Sequence, residues 1–200
     1  MGTNGWIGPL RDRLLDLLRD RSRSLKARLR DFLLITGEAQ QLLDSENMAE
    51  LAAFCTESWV ISTKTDAGSG SWEAAACRCL QDLEILEPDW LALLKQWEQA
   101  PELPGFAPQD PEKLERIAVY FAFRYLLKAV NDGDLLGRAQ FCALGVLVTD
   151  RLSRFVGLPE ALRLFSREIE HNEENLDTLL EQFWQTEGLS LSALLSAFGG

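Results

Sequence analysis

Histidine is almost missing from this chain: His171 is the only one in 200 residues. That excludes a metal centre built on several imidazoles. Glu168-x-x-His171 has the spacing used in di-iron helical bundles. Such bundles need a second Glu-x-x-His motif, and no histidine remains to supply it. A Ser-His-Asp or Cys-His pair has to use His171, and no G-x-S-x-G turn accompanies it. The role expected of His171 is that of a helix-end residue, favoured there by the helix dipole when protonated. Cysteine is scarce too: Cys55, Cys77, Cys79 and Cys142 all fall in helical contexts. Cys77-x-Cys79 lacks the two-residue spacing of common zinc and redox pairs, and positions two apart on a helix point to different sides. Cys79 lies on the apolar stripe of its helix and Cys77 does not. The four are expected to be reduced thiols, and no transition metal is expected. No run approaches the roughly 18–20 apolar residues needed to span a bilayer. No charged start leads into an apolar signal core either. The expected setting is the cytoplasm, without membrane contact.

Positive charge is also in short supply. Lys and Arg total 20 against 31 Asp and Glu, for a formal net charge of −11. A polyanion such as nucleic acid is therefore not an expected partner. The imbalance is uneven: the first thirty residues carry eight Lys or Arg against three Asp, and the remainder twelve against twenty-eight. A basic helical end and an acidic body can attract each other, or each can attract a partner. What is plentiful is apolar material, 46% of the chain, with six Trp and ten Phe. A chain of this length should bury about 70% of its unfolded surface.

Apolar spacing near 3.6 residues recurs along the whole chain, which predicts an all-α protein: a multi-helix bundle around a central buried helical hairpin. One helical domain over 1–200 is expected. It holds N-terminal helices to 62, a flexible linker at 63–70, a helical pair at 71–99, and the hairpin with C-terminal helices at 111–198. Leu10, Leu14, Leu17 and Leu18 mark the first helix. Ser24 can cap the second, which runs through Gly37 to Leu43, and Ser45 can cap the third. Trp72, Ala75, Ala76, Cys79 and Leu83 are expected to face inward from the next, and Trp90, Leu93, Leu94 and Trp97 from the one after it. Asp110-Pro111 opens the hairpin, Asn131-Asp132-Gly133-Asp134 turns it, and Gly157-Leu158-Pro159 ends it. Asn172 caps a helix whose face carries Leu176, Leu179, Leu180, Phe183 and Trp184. Ser190 begins the last. Val60-Ile61-Ser62 before Gly68-Ser69-Gly70 faintly imitates a strand and phosphate-type loop. It lacks an alternating strand–helix series around it, and a linker is the expected reading.

The hairpin's first helix is apolar on most sides from Ile117 to Val130, as in a buried helix. Arg116, Tyr120, Arg124 and Lys128 form one narrow polar stripe. Arg124, among Phe121, Phe123, Tyr125 and Leu127, is expected near the core with an acidic partner: Glu168, Glu170, Asp132 or Asp134. Its loss is expected to destabilise more than that of Arg138. Two uses of the stripe stay open: an internal ion-pair network, or a polar groove that receives a lysine substrate or a partner helix.

Residues 120–141 (YFAFRYLLKAVNDGDLLGRAQF) and 165–183 (FSREIEHNEENLDTLLEQF) resemble the C-terminal part of the flagellin lysine-N-methylase family. LLDLLRDRSRSLKARLRDFLL (14–34) resembles a segment that precedes them there. The three matches keep the family's order and cover about half the chain. The resemblance implies methyl transfer from S-adenosylmethionine to lysine amines of flagellin, a chemistry that needs a deprotonated, aligned lysine. It carries Tyr120, Phe121, Arg124, Asp132, Gly133, Asp134, Glu170 and His171 over as family-pattern residues, with no catalytic role attached. The family's upstream cysteine-rich region, associated with an iron–sulfur cluster, has no counterpart in these 200 residues. Three readings follow. The chain is the helical half of such a methyltransferase, inactive alone, with flagellin or a cysteine-rich region as partner. Alternatively it is a non-enzymatic helical interaction domain, or a transcription regulator with a basic helical N-terminus.

Overall fold

The computed structural model describes residues 5–59, 72–100 and 106–199, and every regular element among them is helical. In chain order these are α1 (Ile7–Arg19), α2 (Leu25–Asp44), α3 (Met48–Phe54), α4 (Trp72–Asp82), α5 (Pro88–Glu98) and α6 (Pro111–Tyr125). A 3-10 turn, Leu126–Lys128, leads into the short α7 (Ala129–Asp132). Then come α8 (Leu135–Val156), α9 (Leu158–Phe165), a π turn Ser166–Glu170, α10 (Glu173–Gln185) and α11 (Leu191–Phe198). The all-α expectation holds. The linker at 63–70 and the glycine loop at 60–70 lie outside the described residues.

The helix ends follow the capping chemistry written in the sequence. Ser24, Asp110, Asn172 and Ser190 each accept a hydrogen bond from the backbone N–H three residues on, as N-caps do. Gly133 takes the left-handed conformation at φ 75° just past α7. One cap is displaced. Ser45 closes α2 with its hydroxyl on the Leu42 carbonyl, Glu46 turns left-handed at φ 55°, and Asn47 caps α3. Helix α2 runs to Asp44, one residue past its expected end, so the cap moves beyond the reversal.

The contacts gather into two compact units. The first comprises residues 1–66 and 110–143, the second residues 67–109 and 144–200. The division runs through the middle of α8, between Ala143 and Leu144, beside Gly145. In the first unit α1 packs on α2 and α6. Leu10, Leu14, Leu18, Leu29, Phe32 and Leu33 are almost fully buried there. The Phe121 and Tyr125 rings meet Phe141 of α8 edge to face, with centroids 5.9 and 4.6 Å apart.

The first unit also encloses a charged knot. Glu115, on the flank of α6's inner face, accepts from Arg28 at 2.8 Å and from Arg21 at 3.0–3.2 Å. Arg28 in turn donates to the Leu18 carbonyl at the end of α1. Arg28 and Glu115 are both buried. Burial pushes the Glu115 carboxyl up, but the hydrogen bonds from Arg21 and Arg28 outweigh it and hold the group below its ordinary 4.5.

In the second unit a polar clamp does similar work. Glu168, fully buried in the π turn, accepts from the backbone N–H groups of Leu86 and Glu87 at 2.9 and 2.7 Å. Asn175 donates to the Glu84 and Glu168 carbonyls at 2.8 Å each, and accepts from the Glu84 N–H at 3.0 Å. Together they satisfy the backbone of the α4–α5 connection, which otherwise leaves orphan donors at the start of α5. Glu168, Ile169 and Glu170 of the π turn are all buried. Inside the same unit Cys77 is buried and Cys79 only half so, the reverse of the expectation. The stripe is Trp72, Ala75, Ala76, Cys77 and Leu80, turned toward α5, where the Cys77 thiol donates to the Leu94 carbonyl at 3.4 Å. Trp184 also departs from its expected inward position and is 64% exposed.

Two outcomes follow. Glu115→Ala strands the buried Arg28 cation and should cost roughly 3–5 kcal/mol in denaturant unfolding. Because the Glu115 carboxyl is depressed in the folded state, its contribution is fully present above its ordinary pKa of 4.5 and fades as pH falls below that. The difference in stability between wild type and the variant should therefore shrink in acid, and a difference unchanged between pH 7 and pH 3 would contradict the assignment.

Candidate interaction surface

Helix α6 is not buried on all sides. Leu114, Ile117, Ala118, Phe121, Ala122 and Tyr125 point into the first unit, and Leu126 and Ala129 continue that face. The opposite face is open to solvent although it is also apolar: Phe123 is 58% exposed, Tyr120 41%, Val130 37% and Leu127 36%. These four are spaced three, four and three apart and form one stripe. Arg116, Tyr120, Arg124 and Lys128, spaced by four, form a second stripe beside it. Both stripes share Tyr120.

Arg124 is exposed, which corrects the expectation that it sits near the core. Its Nη1 donates to the Tyr120 hydroxyl at 3.2 Å, and its guanidinium lies 5.6 Å from the Tyr125 ring centre. Lys128 Nζ stands 4.9 Å from the same ring, and Arg11 lies 5.3 Å from the Phe123 ring. Cations over aromatic faces keep their charge toward water while covering part of the ring. From Arg116 to Asn131 the chain has no Asp or Glu. The result is an apolar stripe edged by positive charge on a protein of net charge −11.

The other family-pattern residues hold the fold. Asp132 pairs with the buried Arg138 and accepts from the Asp134 N–H at 3.0 Å. Burial raises the Asp132 carboxyl, and the hydrogen bonds from Arg138 and the Asp134 N–H bring it below the ordinary range. Asp134 caps α8 through the Gly137 N–H at 2.8 Å, and burial lifts its carboxyl above the ordinary range. Glu170 is buried in the π turn and His171 is exposed just after it, both in the second unit. Tyr120 and Arg124 therefore stand together, Asp132 and Asp134 shape the turn into α8, and Glu170 and His171 belong to the other unit. The Glu168-x-x-His171 spacing builds no ligand pair, because Glu168 is committed to backbone donors while His171 faces solvent.

A cleft of about 400 Å³ opens in the second unit between α4, the end of α5 and α8. Glu73, Arg78, Glu98 and Arg151 charge its walls evenly, with Cys77 and Trp97 beneath. Arg151 is ion-paired to Glu73. Burial pushes the Cys77 thiol up, and lifts Cys55 and Cys79 to about 11. A thiol kept protonated is neither a nucleophile nor a ready metal ligand. Among the described residues no three His, Cys, Asp or Glu side chains converge as a metal site, and no helix is long and apolar enough to cross a membrane.

No protein-family model, no curated protein and no solved structure matches this chain.

The expected order of arginine effects reverses. Arg138→Ala leaves Asp132 without its partner beside the turn into α8 and should cost clearly more than Arg124→Ala, whose site is in water and should stay within about 1 kcal/mol of wild type. Paired chemical denaturation curves measure it, and a larger loss for Arg124→Ala would put that side chain back in the core.

Proposed function

We propose that this chain is a helical protein-interaction module and that the outer face of α6 is the surface it presents. The observation that carries this is the set Tyr120, Phe123, Leu127 and Val130, large apolar side chains exposed side by side on a helix whose other face already fills the core. A contiguous apolar patch rimmed by charge marks a binding site far more often than a random surface does. Aromatic residues and arginine are also the side chains that carry most binding energy at protein interfaces.

The flagellin lysine-N-methylase resemblance supports a second reading on the same face. Tyr120 and Arg124, both in its pattern, adjoin one another on the exposed stripe, so the chain would hold the flagellin segment while S-adenosylmethionine chemistry comes from the cysteine-rich region. Burial holds Cys55, Cys77 and Cys79 protonated, and no cluster of cysteines converges among the described residues, so they do not suit an iron–sulfur cluster. No methyl-transfer step is therefore assigned to these helices.

Two measurements test the pair of readings. A photo-crosslinking side chain placed at position 123 should give one discrete protein adduct in the native cell extract, and the same group at Glu174, exposed on α10, should not. Absence of an adduct from position 123 would remove the interaction reading. Incubation of the chain with S-adenosylmethionine and flagellin, followed by mass spectrometry of lysines, should show no added methyl. A methyl gain would move an active site into this chain.

A further inference from the structure

We propose that the cleft of the second unit binds a small zwitterion: an ammonium group and a carboxylate on an apolar frame, the chemistry shared by free amino acids and short peptides. The cleft and the α6 face belong to different units, and neither reading depends on the other.

The cleft has a fixed floor and one settled wall. Cys77 and Trp97 are both buried and line it. The Cys77 thiol is engaged by the Leu94 carbonyl at 3.4 Å, and the Trp97 ring packs on Trp72 with centroids 6.2 Å apart. The floor is therefore apolar and held by the packing of α4 on α5. On the α8 side Arg151 is buried and ion-paired to Glu73, so that wall carries no net charge. The volume of about 400 Å³ falls in the range of small-molecule sites, which set a few polar groups above an apolar lining.

Two further charges of opposite sign line the cleft from different helices. Arg78 stands one turn beyond Ala74 on α4, and its Nε donates to the Ala74 carbonyl at 3.2 Å, which leaves both Nη groups for another acceptor. Glu98 is the last residue of α5 and takes a long hydrogen bond from Gln81 Nε2 at 3.5 Å. Both side chains are exposed, and among the described residues neither enters an ion pair. A simple anion suits Arg78 but is repelled by Glu98, and a simple cation meets the reverse. A molecule with both charges answers both: the guanidinium fork takes its carboxylate, Glu98 takes its ammonium, and the apolar frame lies over Trp97 and Ala74. The four charges of the cleft sum to zero, so such a ligand leaves the site neutral.

The test is titration calorimetry on the full chain with L-phenylalanine and glycyl-L-phenylalanine. Each is accompanied by its N-acetyl form, which lacks the ammonium, and by its amide, which lacks the carboxylate. At least one zwitterion should bind, and the tighter of the two separates a free amino acid from a short peptide as the source. Removing either charge should weaken binding about fivefold, as expected for an exposed pair. Arg78→Gln should erase the preference for the carboxylate and keep that for the ammonium, and Glu98→Gln should do the converse. Both positions are exposed, circular dichroism checks the fold, and a change confined to one end of the ligand is not what a general loss of structure produces. Ala74→Trp, also at an exposed position, fills the cleft and should abolish binding of every probe. Failure of both zwitterions to bind at millimolar concentration overturns the inference. So does equal binding of the charged and charge-deleted probes, or binding that survives Ala74→Trp. The crosslink at position 123 reads the α6 face separately and is unaffected by any of these outcomes.

Discussion

The buried carboxylate of Glu115 sets the orientation on which the first unit depends. Helix α6 offers two apolar faces, and hydrophobic burial alone does not say which of them turns inward. Glu115 breaks the tie. It sits on the flank of one face, and its hydrogen bonds to Arg28 and Arg21 hold that flank against the α1–α2 connection. Turning α6 to bury Phe123 and Leu127 instead would pull Glu115 off Arg28 and leave a charge of each sign unpaired in the interior. That costs several kcal/mol, comparable to what two large apolar side chains gain on burial. The exposed aromatic stripe is thus the counterpart of a buried ion pair on the other side of the same helix.

Much of the fold was legible because it is written locally. Caps at Ser24, Asp110, Asn172 and Ser190, and the left-handed Gly133, each depend on residues within a turn of one another. The helices of the pair at 72–98 were legible from spacing alone. What escaped depends on distant partners. Glu115 finds Arg21 and Arg28 across most of the first unit's sequence, and no periodicity links them. Glu168 was expected as a possible partner of Arg124, but its partners are backbone N–H groups of the α4–α5 connection, and backbone donors leave no trace in a residue pattern. Cys77 and Cys79 exchanged places for a related reason: spacing within α4 put Cys79 on the stripe, and the position of α5 covers Cys77 instead.

The exposed face was half legible. Arg116, Tyr120, Arg124 and Lys128 stood out as a stripe, and a partner helix was one of its two readings. The mistake lay in counting Phe123, Leu127 and Val130 as core. Apolar residues all round a helix signal full burial only if neighbours exist on every side, and a sequence does not state how many helices surround a given one. The informative signal was the charge pattern: a fully buried helix has no reason to carry Arg116, Arg124 and Lys128 at regular spacing along one face. Asp132 and Asp134 looked like candidate partners for them, but they are consumed by Arg138 and by the cap of α8.

That consumption matters for what the surface can discriminate. Carboxylates that could neutralise the α6 cations from within are already engaged: Glu115 by Arg21 and Arg28, Asp132 by Arg138, and Asp12 by Arg11. Charges of this kind add little affinity at an exposed site, where each pair contributes only a few tenths of a kcal/mol. Their larger effect is on choice, because a like-charged partner meets repulsion at the moment its apolar ridge must lose its water. Apolar area thus supplies the attraction and is indifferent to sequence, while charge beside it acts on the choice of partner.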